Sequence, residues 1–171
     1  PEPASRMAGL VDRLGVAVAR RRGEHIDTAV LDGLLAVAQA DHGDRPSAEA
    51  TALDARVDAM AEIFAMDDLA TTLWVAAAAP DFDATVAALY GALRGIDGPA
   101  RLGVGLALEL AGLPTMSGEG IARLGSSAPL RRRGLLDVVD RATWLSSELA
   151  APHRVVAHAL GVDAPTRALA A

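Results

Sequence analysis

Apolar positions recur at helical spacing along most of this chain, most clearly between Ile63 and Tyr90. Leu69, Leu73, Ala76 and Ala77 fall at i, i+4, i+7 and i+8, the stripe of a core-facing helix predicted over 68–79. Asp67 stands where its carboxylate can accept from the free N–H groups of the first turn. Pro80 is expected to end this helix, because proline disfavours α conformation in the preceding residue and has no N–H to donate. Asp83 then caps a second helix with Val86, Leu89, Tyr90 and Leu93 on one side. Two amphipathic helices joined by so short a corner must pack on each other or on a common neighbour.

The same spacing predicts a helix from Ser5 to Arg22 carrying Met7, Leu10, Val11, Leu14, Val16 and Val18. Arg20, Arg21 and Arg22 read as its solvated last turn, offsetting the negative end of the helix dipole, with Gly23 as the C-cap. Asp27 is expected to cap the next helix, through Val30, Leu31, Leu34, Leu35 and Val37, giving an antiparallel hairpin. The polar run from Asp41 to Ser47 marks a boundary. Ser47 opens a third helix that buries Leu53, Val57, Met60, Ile63 and Phe64, and Pro99 is placed at the start of a later one, after a turn at Ile96.

From Arg101 to Leu113 the leucines alternate as in a strand. The residues between them, Gly103, Gly105 and Ala107, make no polar face, and only Val104 is β-branched, so helix is the favoured reading. A short helix is predicted over 118–124, then a helical turn holding Leu130 and Arg131 to Arg133. Apolar runs at 135–139 and 143–147 flank Asp140-Arg141-Ala142 and suggest a two-stranded hairpin. Pro152 opens a last helix with Val155, Val156, Ala159 and Leu160 inward, stopped by Gly161. The expected class is mainly α: a helical N-terminal hairpin (1–45), a variant winged-helix domain with a small β-hairpin wing (46–163), and a linker-like tail (164–171).

Composition agrees with helix: 51% of the 171 residues are hydrophobic, Ala and Leu lead, and aromatics make up only 3%. All sixteen basic residues are arginine. Without lysine there is no phosphate-loop lysine, Schiff base or lysine general base, and without cysteine no disulfide, thiolate nucleophile or cysteine zinc site. A net charge of −6 argues against a nucleic-acid binder. No apolar run approaches the ~20 residues a membrane helix needs, and Asp12 and Arg13 interrupt the N-terminal apolar stretch, so no signal peptide is read and a cytoplasmic location is expected. A chain that starts at Pro1 and closes on small residues is expected to be a piece of something longer.

Chemistry-bearing patterns are few. Arg131, Arg132 and Arg133 form the best candidate partner-binding patch, set against a plain solvated helix end. Asp67, Asp68, Asp81 and Asp83 sit at helix starts, where capping accounts for them better than paired-carboxylate catalysis. His153 and His158 are five apart and do not share a helix face, so no metal site is expected. Ser126-Ser127 lacks the nucleophile-elbow glycines, and Trp74 and Trp144 read as core or interface fillers. Gly103-Val104-Gly105 lacks the third glycine of a dinucleotide loop. The chain is therefore expected to be non-catalytic, with no cofactor of its own.

From about Leu53 to Val162 the sequence resembles the winged-helix-like N-terminal domain of a bacterial family of AAA+ ATPases, many encoded beside contractile injection systems. The resemblance rests on Ile63-Phe64-Ala65-Met66 leading into Asp68-Leu69, and on Pro80-Asp81-Phe82-Asp83 before Ala88-Leu89-Tyr90. It continues in Val104-Gly105-Leu106-Ala107-Leu108, in Ala128-Pro129-Leu130-Arg131-Arg132 before Gly134-Leu135-Leu136, and in Val155-Val156 to Leu160-Gly161. Phe82 departs from the family's usual leucine. The resemblance implies a recognition or regulatory module whose partner is a protein or the ATPase ring itself, in a hexameric parent. ATP and Mg would belong to the absent ATPase module. The alternative, drawn from the outline and the arginine run, is a DNA-binding winged helix.

Overall fold

A computed structural model describes residues 5–22, 28–42, 47–115 and 117–162. The helices are α1 (Arg6–Arg21), α2 (Thr28–His42), α3 (Ala48–Ile63), α4 (Asp68–Phe82), α5 (Ala84–Leu93), α6 (Val104–Leu110), α7 (Gly118–Leu124), α8 (Pro129–Arg132) and α9 (His153–Ala159). Three short strands, β1 (Leu102–Gly103), β2 (Asp137–Val139) and β3 (Glu148–Ala150), form an antiparallel sheet in the order β1-β3-β2. Among the described residues no helix is long and apolar enough to cross a membrane. The mainly helical class with a small hairpin is as expected.

The core is built around α4. Nine of its residues are buried, including every position from Leu73 to Ala79, so it is sheathed by neighbours rather than lying on the surface. Small alanines let α1, α5 and the sheet approach it closely. Helices α1 and α2 belong to the same apolar cluster as α4, α5 and α6, through Leu10, Leu14, Leu31 and Leu35. They run antiparallel: Arg22 at the end of α1 pairs with Asp32 early in α2, and Ser5 at the start of α1 lies beside His42 at the end of α2. Ser5, Ser47, Asp67 and Asp83 each accept from a first-turn N–H and cap α1, α3, α4 and α5. The expected caps at Gly23 and Asp27 fall outside the described residues.

Pro80 does not end α4, which continues to Phe82. A proline inside a helix leaves the carbonyl four residues earlier without its backbone donor; here that carbonyl is Ala76 O. The buried Tyr90 hydroxyl donates to it at 2.8 Å, so α5 supplies the bond that the proline withholds, and burial pushes the Tyr90 hydroxyl pKa well up. Trp74, also fully buried, donates its indole N–H to Leu135 O at 3.1 Å.

Other expectations are corrected. Pro99 starts no helix; the chain stays extended through β1 and turns helical at Val104. The alternating stretch is thus strand for two residues and helix for seven. The second hairpin strand is 148–150 rather than 143–147, because Thr143 and Ser146 form a reciprocal capping box around a 3-10 turn at Trp144–Ser146. Ile63 and Leu160, expected inward, are at least half exposed, as are the apolar Val16, Val30 and Val37 of α1 and α2.

Candidate partner-binding site

The segment between α6 and the hairpin carries the arginine run, and its local chemistry breaks it into two short helices. Gly125 N–H closes α7 on Ile121 O at 2.7 Å, and a Cβ at Gly125 would lie 2.6 Å from that same oxygen. Pro129 then restarts the chain as the first residue of α8, where its missing N–H costs nothing. Gly134 ends α8 at φ +65°, the left-handed conformation that glycine adopts most readily.

The three arginines do not act as a unit. Arg133 donates to Phe64 O at the end of α3. Arg131 is half-buried and Arg132 exposed, and neither guanidinium has a hydrogen-bond or ion-pair partner among the described residues. Beside them lies a cleft of about 160 Å³ between the α3–α4 corner and α7–α8. Its floor is Leu73 and Leu130, and its rim is Ala65, Asp67, Arg123 and Arg133.

Sequence reasoning missed the device that shapes this corner. Met66 N–H bonds Ala61 O at 2.8 Å and Ala65 N–H bonds Glu62 O at 3.2 Å, a Schellman closure with Ala65 in the left-handed position at φ 45°. Among the described residues it is the one non-glycine at positive φ. Alanine carries no turn signal, so nothing in the sequence pointed to it. Asp67 accepts from Ala70 N–H at 2.8 Å and from Arg123. Those bonds, the Ala70 one foremost, hold its carboxyl below the usual range against the effect of burial. Arg123 is therefore occupied, and Glu119 lies a helical turn away from it.

Behind the sheet, Arg94 donates to Arg101 O at 2.6 Å and to Glu148 Oε1 at 3.1 Å, while Arg141 donates to Glu148 Oε2 at 2.6 Å. The Arg141 bond is the main cause of a depressed Glu148 pKa, with Arg94 adding to it. Gly103 leaves room for this bridge, since a Cβ there would lie 2.9 Å from Arg94 Nε. The hairpin loop also folds back on α6, where Gly105 faces Leu145 O.

A family model described as a variant winged helix domain matches residues 13–171. The chain belongs to that family. No curated protein and no solved structure matches it significantly. In this winged helix the element leading into the wing, where such a fold would present a reading helix, is split into pieces of seven and four residues. The four aspartates singled out in the sequence are not brought together: Asp67 and Asp83 cap helices, Asp68 lies in the first turn of α4, and Asp81 pairs with Arg101. Among the described residues no group of His, Asp or Glu could hold a metal ion.

Proposed function

We propose that this winged helix is a non-catalytic recognition module for a protein partner. By the resemblance of residues 53–162, it serves as the N-terminal regulatory domain of a AAA+ ATPase that remodels its partner with ATP. A contractile injection system or the ATPase ring itself is the partner that resemblance favours. ATP and Mg belong to the ATPase module in this reading, and α1 and α2 brace the winged-helix core.

One observation carries the preference for protein over DNA: the reading position is built for a contoured surface rather than a groove. A recognition helix presents several base-contacting side chains from one continuous helix, whereas α7 and α8 are too short for that. The cation on α7, Arg123, is neutralised by Asp67 and faced by Glu119. Ile121 beside it is 60% exposed, and the hairpin carries exposed Asp137 and Asp140. The unpaired Arg132 is the observation that favours the second reading, a DNA-binding winged helix.

Titrating a labelled duplex with the protein at low salt separates the two. The protein reading predicts no binding. Salt-dependent binding that Arg131→Ala/Arg132→Ala/Arg133→Ala abolishes would overturn it, because phosphate contacts release counterions.

A further inference from the structure

Wherever else a described arginine reaches a side chain, from Arg6 on Asp58 to Arg141 on Glu148, that side chain is a carboxylate. Arg13 on α1 spends its guanidinium on Leu110 O, and the remaining exceptions lie on α3, α8 and α9. The guanidinium groups of Arg131 and Arg132 on α8, Arg154 on α9 and Arg56 on α3 have no hydrogen-bond or ion-pair partner among the described residues. Arg133 spends its guanidinium on a backbone carbonyl. A Cβ at Gly134, the residue that ends α8, would lie 3.1 Å from Arg154 Nη2, so the α9 cation sits at the end of the arginine run. A Cβ at Gly161 would lie 2.5 Å from Arg56 Nη2. Arg154 lies in the first turn of α9 and Gly161 just past its C-cap, so the two contacts mark opposite ends of that helix.

In an acidic protein of net charge −6 such a strip of uncompensated cations is not the outcome of composition. Aliphatic side chains flank it. Ile63, next to the Phe64 carbonyl that Arg133 holds, is 73% exposed, and Leu160 and Val162 on either side of Gly161 are 50% and 59% exposed. A phosphate backbone has no use for those side chains, whereas a peptide that alternates carboxylates with aliphatics would use both kinds of position.

We infer that the face formed by α8, α9 and the C-terminal half of α3 docks an acidic, leucine-bearing segment of a partner protein. The carboxylates meet Arg131, Arg132, Arg154 and Arg56, and the aliphatics meet Ile63, Leu160 and Val162. Bidentate arginine–carboxylate pairing gives the register, and the apolar contacts hold the segment once the charges have steered it in. The inference rests on the protein-binding reading and names the chemistry of the partner.

The test uses the full chain, a labelled synthetic peptide of repeating Glu-Glu-Leu, its counterpart with Lys for Glu, and a duplex DNA. The acidic peptide is expected to bind with an affinity that falls as salt rises, and the Lys peptide not to bind. Arg132→Glu/Arg154→Glu, two exposed positions whose folding is checked by circular dichroism, is expected to weaken binding by about tenfold or more. Arg22→Glu, an exposed reversal on α1, is expected to leave it unchanged. Equal binding by the α8–α9 variant, or no binding of the acidic peptide, would overturn the docking face and leave the protein-recognition reading standing. Displacement of the peptide by the duplex at lower concentration would overturn both.

Discussion

The helical half of the molecule and its wing are held by different forces. Around α4 the polar atoms of Trp74, Tyr90 and Thr71 all find backbone acceptors within a largely aliphatic core, and ion pairs such as Arg21–Glu109 and His42–Asp83 lie at its margin. The sheet contributes one buried row, Leu102 and Leu149, and is otherwise fixed by Arg94 and Arg141 gripping Glu148 from two sides. Burial of apolar surface is insensitive to pH, whereas an ion-pair bridge answers to pH and is weakened by salt. The wing, with little apolar burial of its own, is therefore the part that leans most on ion pairing.

The largest effect should come from the helical half. Leu73→Ala or Leu89→Ala removes a fully buried side chain between packed helices, and each is expected to destabilise by about 2–5 kcal/mol in chemical denaturation. An unchanged midpoint for both would mean that α4 and α5 are not the centre of the fold.

Tyr90→Phe should cost about 1–3 kcal/mol, because it strands the buried Ala76 carbonyl. The proline bypass makes a sharper prediction. Adding Pro80→Ala to Tyr90→Phe restores a backbone N–H to that carbonyl, so the double variant should recover most of the loss. Strict additivity of the two changes would break the account of how α4 passes through its proline.

In the wing, Glu148→Gln is expected to cost roughly 1–2 kcal/mol at neutral pH, less than the core variants because the bridge is partly solvated. The Glu148 pKa is lower in the folded state than in the unfolded one. Its contribution is therefore full above the unfolded value of about 4.3 and is lost as pH falls through the lower folded value. The wild type should lose stability relative to Glu148→Gln across that acid window, and parallel curves would contradict the bridge. The smallest effect belongs to the strained corner: Ala65→Gly should stabilise by several tenths of a kcal/mol up to about 1, since glycine adopts φ 45° without the Cβ penalty.

Helix caps and core stripes were legible in the sequence because they depend on local spacing. Ser47, Asp67 and Asp83 cap where the residue types said they would, and Leu73, Val86 and Leu89 are buried as their periodicity required. The misreadings have two causes. Pro80 was judged by its neighbours in sequence, but Tyr90, on the next helix, rescues α4 across the proline. The 143–147 run was judged by its apolar residues, but a local capping box between Thr143 and Ser146 turns it into a 3-10 turn, and the strand that pairs with β1 and β2 follows at 148–150. The candidate site was half legible. Arg131 to Arg133 stand out in the sequence, but Arg154 comes beside them only through the fold, at Gly134, and Arg56 lies farther along, at Gly161.

The mass of the native protein in its source cell tests the central claim most directly, by immunoblot with an antibody raised to this domain. A recognition module of an ATP-driven machine predicts a band far above the 17.5 kDa of these residues. A band at 17.5 kDa would contradict it and leave a winged helix that acts without a motor.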